Sequence, residues 1–515
     1  MSAFDRRTFG KLFFGAGLGA AMIGATGCTP QSGSTTGGQA SAAGQTLTLA
    51  LDTEYASFDP AKQQSGGAPV TLWQGIFDTL LRYEPDGTIV PNAAESFDFN
   101  AEKTKMTLKL RSGMKFTDGS PVDGAAVKAS MEHMKTGGGS DASRIADVTV
   151  TVPDPSTVVL TTEKPKGLLP TFLCLSTGIV ASPASLKATD RDTKPVGSGP
   201  YALDPANTTS GSKITLNRNP DYWNKAAFPY DKVVFQIQPD ITARVNALKS
   251  GQINGAYITT QTKNEIASSG FNVIGSAVNW AGLFLGDRNG KRIKALGDLK
   301  VRQAINMVFD RQAIVKALFL GEGKVSNQIF NDKSEAFLPE LVDRYPFDVE
   351  KAKSLMASSS APDGFSFDLP IINGLDYANP IITQQLGLIG IKATPVKIPG
   401  GQVIPQLLSG KFPIFYFTLE SRTALWDIVQ SLQPNSVWNV NKDTDPELTP
   451  LLDAAQTATG AEAKTNAQKI NTFLVEQAWF CPWALPTNFY ATDKKTTATA
   501  VLGASNPYLA TFKPV

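Results

Sequence analysis

Histidine is nearly absent from this chain: among 515 residues there is one, His133. A Ser-His-Asp or Cys-His centre would have to be built on it. Its context, a helical stretch running into Gly137-Gly138-Gly139, is that of a surface or helix-end residue. Metal coordination wants a second imidazole or thiolate nearby, and none is close in sequence. Cysteine is also scarce, with only Cys28, Cys174 and Cys481. The last two sit in apolar runs (F-L-C-L and W-F-C-P), where buried free thiols are expected rather than a disulfide. Charged residues make up 18% of the chain and the net charge is +2. Arg6, Arg7 and Lys11 against Asp5 account for that excess, leaving the rest formally neutral. A nucleic-acid partner therefore has no electrostatic support. No Walker loop, G-x-S-x-G elbow or dinucleotide fingerprint is present. Converging carboxylates are the one catalytic arrangement left open, and no catalytic residue, metal ligand or cofactor is assigned.

What the chain does have is length and apolar content. With 42% hydrophobic residues it can bury a sizeable core, and two or three domains are expected. The N-terminus reads as an export signal. Asp5-Arg6-Arg7-Thr8-Phe9-Gly10-Lys11 matches the twin-arginine pattern, followed by an apolar run from Leu12 to Ala25 that is short for a membrane span. Ala25-Thr26-Gly27-Cys28 resembles a bacterial lipobox, so residues 1–27 are expected to be removed and Cys28 to carry lipid. Residues 28–44, rich in Ser, Thr, Gly and Gln, then form a flexible tether.

Three stretches carry a resemblance. The first is Lys194 to Trp223, where V-G-S-G-P-Y precedes two short strands and L-N-R-N-P-D-Y-W. Gly197 and Gly199 there permit positive φ or close backbone approach, and Pro200 fixes φ. The second is L-R-S-G-M-K-F-T-D-G-S-P at 110–121; the third is D-L-K-V-R-Q-A-I from Asp298, with Asp298 as N-cap and Arg302 as a structural residue. Together they resemble the large solute-binding proteins of ABC importers, in the family that carries oligopeptides, dipeptides and nickel. The resemblance runs from about Leu47 to Lys494.

It implies an α/β fold of two periplasmic-binding-protein-like lobes (a Venus flytrap), with a small α+β domain inserted in the first. The corresponding division is 45–79, lobe I; 80–194, the inserted domain; 195–285, lobe I again; 286–479, lobe II; 480–515, the return to lobe I. Trp280–Leu285 and Phe480–Ala491 are the expected crossing strands. Apolar spacing also predicts helices over 70–82, 121–134, 446–458 and 461–479. The resemblance further implies a monomer that captures a peptide or similar polar oligomer. It would hand this to a permease and ATPase while lipid-anchored on the outer face of the cytoplasmic membrane. Oligosaccharide, glycoconjugate or metal-chelate binding is the alternative within the fold; an exported carboxylate hydrolase is the alternative outside it.

Peptide-binding members often hold the ligand amino group with an acid in a W-x-x-D-Y-x-x-P-like stretch. Here the run is Phe415 to Asp427, F-Y-F-T-L-E-S-R-T-A-L-W-D, and the D-Y pair is absent. Glu420 or Asp427 stands as the substitute, and Arg422 is available for a ligand carboxylate. Tyr55, Trp280, Trp426 and Trp438 are candidate stacking faces, against core packing; Asn279 and Asn439 are candidate amide contacts, against loop capping.

Overall fold

The structure is a computed structural model that describes residues 45–372, 375–399 and 402–515. The signal, the tether and Cys28 lie outside the described residues. Thr46–Leu51 alternates in sequence and forms the first strand, paired in parallel with Lys232–Ile237 from Thr46 opposite Lys232 to Leu51 opposite Ile237. The main sheet runs, edge to edge, Tyr201–Leu203, Lys213–Arg218, Lys232–Ile237, Thr46–Leu51, Gly255–Ile258, Phe480–Thr492, Asn279–Leu285, Ile414–Glu420.

Phe480–Thr492 is thirteen residues long and does two jobs. Its first part pairs with Asn279–Leu285, Phe480 facing Phe284; its second part pairs with Asn272–Ala277, Thr492 facing Asn272. Segments 272–285 and 480–492 thus run side by side between two apolar bodies. One body contains Leu47, Trp73, Phe172, Tyr201 and Phe512. The other is built around Leu283, Phe309, Leu369 and Trp483, with Phe415 and Ile470 in an adjoining cluster. These are two lobes joined by paired strands. The apolar side of 80–194 is continuous with the first lobe's core: Leu108, Val127 and Phe172 share its cluster.

The glycines of the 194–201 motif serve close approach. A Cβ on Gly197 would lie 2.0 Å from the Ile76 carbonyl oxygen, and one on Gly199 would lie 2.6 Å from the Ile76 carbonyl carbon. The Gly199 amide donates to that same oxygen at 2.9 Å. Ser198 and Tyr222 both donate to the buried Asp78 carboxylate (3.0 and 2.9 Å). Burial pushes Asp78 up to about 7, against those hydrogen bonds. The motif therefore clamps the returning chain onto the end of the helix Pro69–Ile76.

That clamp also explains a shorter helix than the 70–82 expected. Beyond Ile76 the chain is extended, Asp78–Thr79 pairing with Ile179–Val180 and Leu81–Tyr83 with Ile89–Pro91. The helix expected over 121–134 runs Gly124–Thr136, because the Asp123 carboxylate accepts from the Ala126 amide and sets the start. The one expected over 446–458 shrinks to Leu448–Ala455, while Gly460–Glu476 keeps nearly its full length. Asp298 caps its helix as expected, and Asp240 and Asp348 cap theirs in the same way.

Arg302 is buried and donates to the Leu296 and Gln477 carbonyls, so it holds backbone rather than an acid. Cys174 and Cys481 are buried free thiols. His133 stands in the last turn of the helix Gly124–Thr136, the helix-end position expected, and is half-buried there. Its Nε2 lies 2.7 Å from Asp59 Oδ1, and Arg191 Nε donates to the other oxygen at 2.8 Å. Burial alone would raise Asp59, but Arg191 and His133 hold it below its usual value.

Candidate functional site

The first strand ends at Leu51, and its parallel neighbours end beside it, so the loops that follow gather at one edge of the sheet. Crevices outside the carboxyl ends of parallel strands are where open α/β sheets bind ligands. A cavity of about 590 Å³ lies there. Its walls are the loop Asp52–Ser57, the loop Lys62–Pro69, Tyr257, Asn279 and Asn488 from the crossing region, and Ser505 and Asn506 near the C-terminus. Residues with amide or hydroxyl side chains make up most of the lining, with Asp52, Glu54 and Lys62 as its charges. Gly67 adopts a φ of 75°, which the turn of the second loop requires. Tyr55 is half-buried and donates to Gln63 Oε1 at 2.6 Å, fixing one loop against the other.

The second lobe approaches through Ile414–Glu420. Asn279 and Glu420 are cross-strand partners in register, so two candidates far apart in sequence stand next to each other. Glu420 Oε2 is 3.8 Å from where a Gly66 Cβ would be, placing the carboxylate against the cavity wall. Its other oxygen pairs with Arg422 Nη2 at 2.5 Å. Arg422 Nη2 also donates to the Ser65 carbonyl of the first lobe (3.3 Å). Burial pushes the Glu420 carboxyl above its usual range, against the pull of Arg422 and Arg144. Burial alone would lower Arg422, but Glu420 and Tyr508 carry it above the ordinary guanidinium value.

The remaining candidates lie elsewhere. Trp280 is 1% exposed and stacks on Phe284 at 4.7 Å, inside the second lobe. Trp438 is half-buried against Phe417 at 4.8 Å. Asn439 is buried and caps its own loop, donating to the Asp443 carbonyl (2.8 Å) and accepting from the Asp443 amide (3.1 Å). Asp427 is buried and accepts from the Ser421 hydroxyl at 2.7 Å and the Gln430 amide at 3.2 Å. Trp426 comes from the second lobe yet is buried in the first lobe's cluster, its ring edge-on to Phe172 at 6.4 Å. It is a contact between lobes.

Tyr55, Asn279, Glu420 and Arg422 are therefore the candidates brought together. Missed from the sequence were Gln63, Gln64, Asn488, Asn506 and Arg144. Residues just after the first strand had a usable signal, the carboxyl-end rule; the late asparagines had none. Among the described residues no group of three or more His, Cys, Asp and Glu side chains could hold a metal ion. No described helix is long and apolar enough to cross a membrane.

The model of the family described as "Bacterial extracellular solute-binding proteins, family 5 Middle" matches residues 88–423. The glutathione-binding protein GsiB of Salmonella paratyphi A is 26% identical over 381 residues, covering 70% of this chain and 71% of that protein. A putative ABC transporter peptide-binding protein of Brucella ovis is 26% identical over 427 residues, covering 76% and 78%. Among solved structures, the binding protein AgaA of A. tumefaciens R10 with agropinic acid superposes with a TM-score of 0.78 at 24% identity, over 92% of this chain and 99% of that one. DppA of Helicobacter pylori with the peptide STSA gives 0.76 at 20%, over 91% and 98%. The two-lobed fold is thus the periplasmic-binding-protein fold, and the family consists of solute-binding proteins rather than enzymes. The chain belongs to the bacterial extracellular solute-binding proteins of family 5, and it is a substrate-binding component of an ABC transporter.

Proposed function

We propose that this protein captures a peptide, or a small peptide-like polar molecule, in the cleft at the carboxyl ends of its first-lobe strands, and releases it unchanged to a permease driven by an ATPase. The observation that carries this reading is the 590 Å³ cavity walled by the Asp52–Ser57 and Gly66–Gly67 loops and by Asn279 of the crossing strands. Its volume falls within the range of small-molecule sites. Its amide and hydroxyl groups suit a ligand rich in peptide-like donors and acceptors. Relatives named for glutathione and for peptides fit the same chemistry. Tyr55, Asn279, Glu420 and Arg422 are the proposed contacts.

The domain plan at 79/80, 194/195, 285/286 and 479/480 is part of this reading, with the crossing strands beside the last two boundaries lending Trp280, Leu283 and Trp483 to the second lobe's core. So are a monomeric state, removal of residues 1–27 and a lipid on Cys28 that keeps the protein at the outer face of the membrane. Ligand closes the two lobes only to the extent that it contacts both better when they are together. Native mass spectrometry of the protein as purified tests the reading. It should show an additional mass of small-molecule size, released intact on denaturation. A molecule recovered in cleaved form, or turnover of an added peptide, would contradict it.

A further inference from the structure

The one histidine of the chain stands behind the wall of the cavity rather than in it. Tyr55, Ser57, Lys62 and Gln63 line the cavity, while Asp59, between them, turns away from it at the start of the short helix Pro60–Lys62. His133 meets Asp59 there from the last turn of the helix Gly124–Thr136. Among the described residues none from 80–194 lines the cavity, so this segment can influence a ligand only through what it holds.

Asp59 is the point of attachment. Its side chain is 1% exposed, with His133 Nε2 and the Ala61 amide on one oxygen and Arg191 Nε on the other. Against the upward push of burial, Arg191 and His133 keep the carboxyl below its usual value, so it is ionised and only accepts. His133 Nε2 is therefore the donor. From Asp59 the connection to the ligand side runs through Gln63. Gln63 Nε2 donates to the carbonyls of Ser57 and Asp59 at 2.9 and 2.8 Å, and its Oε1 accepts from the Tyr55 hydroxyl. Two residues thus separate His133 from Tyr55.

Other contacts hold the loop from the same side. The Phe58 amide donates to the Asp192 carbonyl at 2.9 Å, and Lys62 pairs with the Asp192 carboxylate. A Cβ on Gly139 would lie 1.7 Å from the Ala61 carbonyl oxygen, so the loop rests directly on the chain beyond the helix. The pairs differ in weight. Lys62 and Asp192 are both solvent-exposed, where an ion pair contributes little. His133 is 17% exposed and bonds a carboxylate sealed from water, where a charge-assisted bond is strong and its loss leaves a buried acceptor short.

We infer that His133 is a positioning residue for ligand binding: through Asp59 and Gln63 it fixes Tyr55 and the loop 57–67 as the cavity wall, without touching the ligand. The inference rests on the proposed binding role. It gives the segment 80–194 a part in affinity that its distance from the cavity hides.

The test compares His133→Leu, which removes the donor, with His133→Gln, whose amide reaches the place of Nε2. Hydrogen exchange read by mass spectrometry should be faster across 54–67 in His133→Leu and close to wild type in His133→Gln, in the absence of any added compound. Titration calorimetry uses glutathione and trialanine. Whichever binds the wild type should bind His133→Leu roughly tenfold more weakly, the value of about one charge-assisted hydrogen bond, and His133→Gln within about threefold of the wild type. Tyr55→Phe cuts the last link, so adding His133→Leu to it should cost less than His133→Leu does alone. Melting temperatures identify a variant whose whole fold has weakened; Arg191→Gln, which frees the other Asp59 oxygen from a more exposed side, then takes the place of His133→Leu with the same expectations. The inference is overturned if exchange across 54–67 is unchanged, if His133→Gln behaves as His133→Leu does, or if the two losses simply add. Should neither compound bind the wild type, the exchange result alone decides the positioning. The binding role itself fails separately, on the absence of any intact co-purified molecule.

Discussion

Gly282→Val is expected to cost at least about 3 kcal/mol of stability, the upper end of what overpacking a close-packed site does. Gly282 sits in the crossing strand Asn279–Leu285, where the register against Phe480–Thr492 shifts between Ala281 and Gly282. A Cβ there would lie 2.4 Å from the Cys481 carbonyl oxygen, 2.6 Å from Pro482 Cα and 3.0 Å from the Trp483 amide nitrogen. All three are backbone atoms, so no side-chain rotation relieves the clash. The two crossing segments would have to part, and the second lobe's core, with Leu283 and Trp483 at its centre, packs on that pairing. Whole-domain stabilities are about 5–15 kcal/mol, so a loss of this size shows directly in a denaturant midpoint or in soluble yield. A loss below about 1 kcal/mol would show that the paired strands are not tightly joined at this point.

Trp280→Ala is expected to destabilise by about 3–5 kcal/mol while leaving ligand affinity within roughly tenfold of the wild type. The indole is 1% exposed, stacked on Phe284 and edge-on to Phe480 at 5.5 Å, so truncation opens a void among packed aromatics. Its neighbour Asn279 faces the cavity, because successive strand residues point to opposite faces of the sheet. Chemical denaturation and calorimetry on the same sample separate the two effects. Lost affinity with unchanged stability would make Trp280 a ligand contact rather than a packing residue.

The same alternation explains how much of the site was legible. Asn279 and Trp280 stood together as candidates because a one-dimensional reading sees a crossing segment, not the face each residue takes. The crossing strands themselves were clear: Asn279–Leu285 and Phe480–Thr492 lie within one residue of the expected Trp280–Leu285 and Phe480–Ala491. Helix ends were clear where an aspartate capped them and obscure where a distant loop cut them short. Pro69–Ile76 stops because Gly197 and Gly199 arrive from more than a hundred residues away.

Side-chain fates in the second lobe were the hardest to read. Trp426 and Asp427 follow Arg422 closely in sequence, yet one anchors the opposite lobe and the other satisfies Ser421 and Gln430. Nothing in composition or spacing separates those roles from ligand contact. The pairing of Asn279 with Glu420 is a matter of strand register across 141 positions. The proximity of Arg144 to Trp426 depends on how the inserted segment meets the second lobe. Both became visible only once the chain was folded.

Small-angle scattering bears most directly on whether a guest molecule draws the two lobes together about segments 272–285 and 480–492. Protein stripped of its co-purified molecule is compared with the same protein after that molecule is restored. The radius of gyration should be larger in the stripped sample and should shrink on restoration, with the molecule recovered intact afterwards. Identical profiles at proven occupancy would contradict the account.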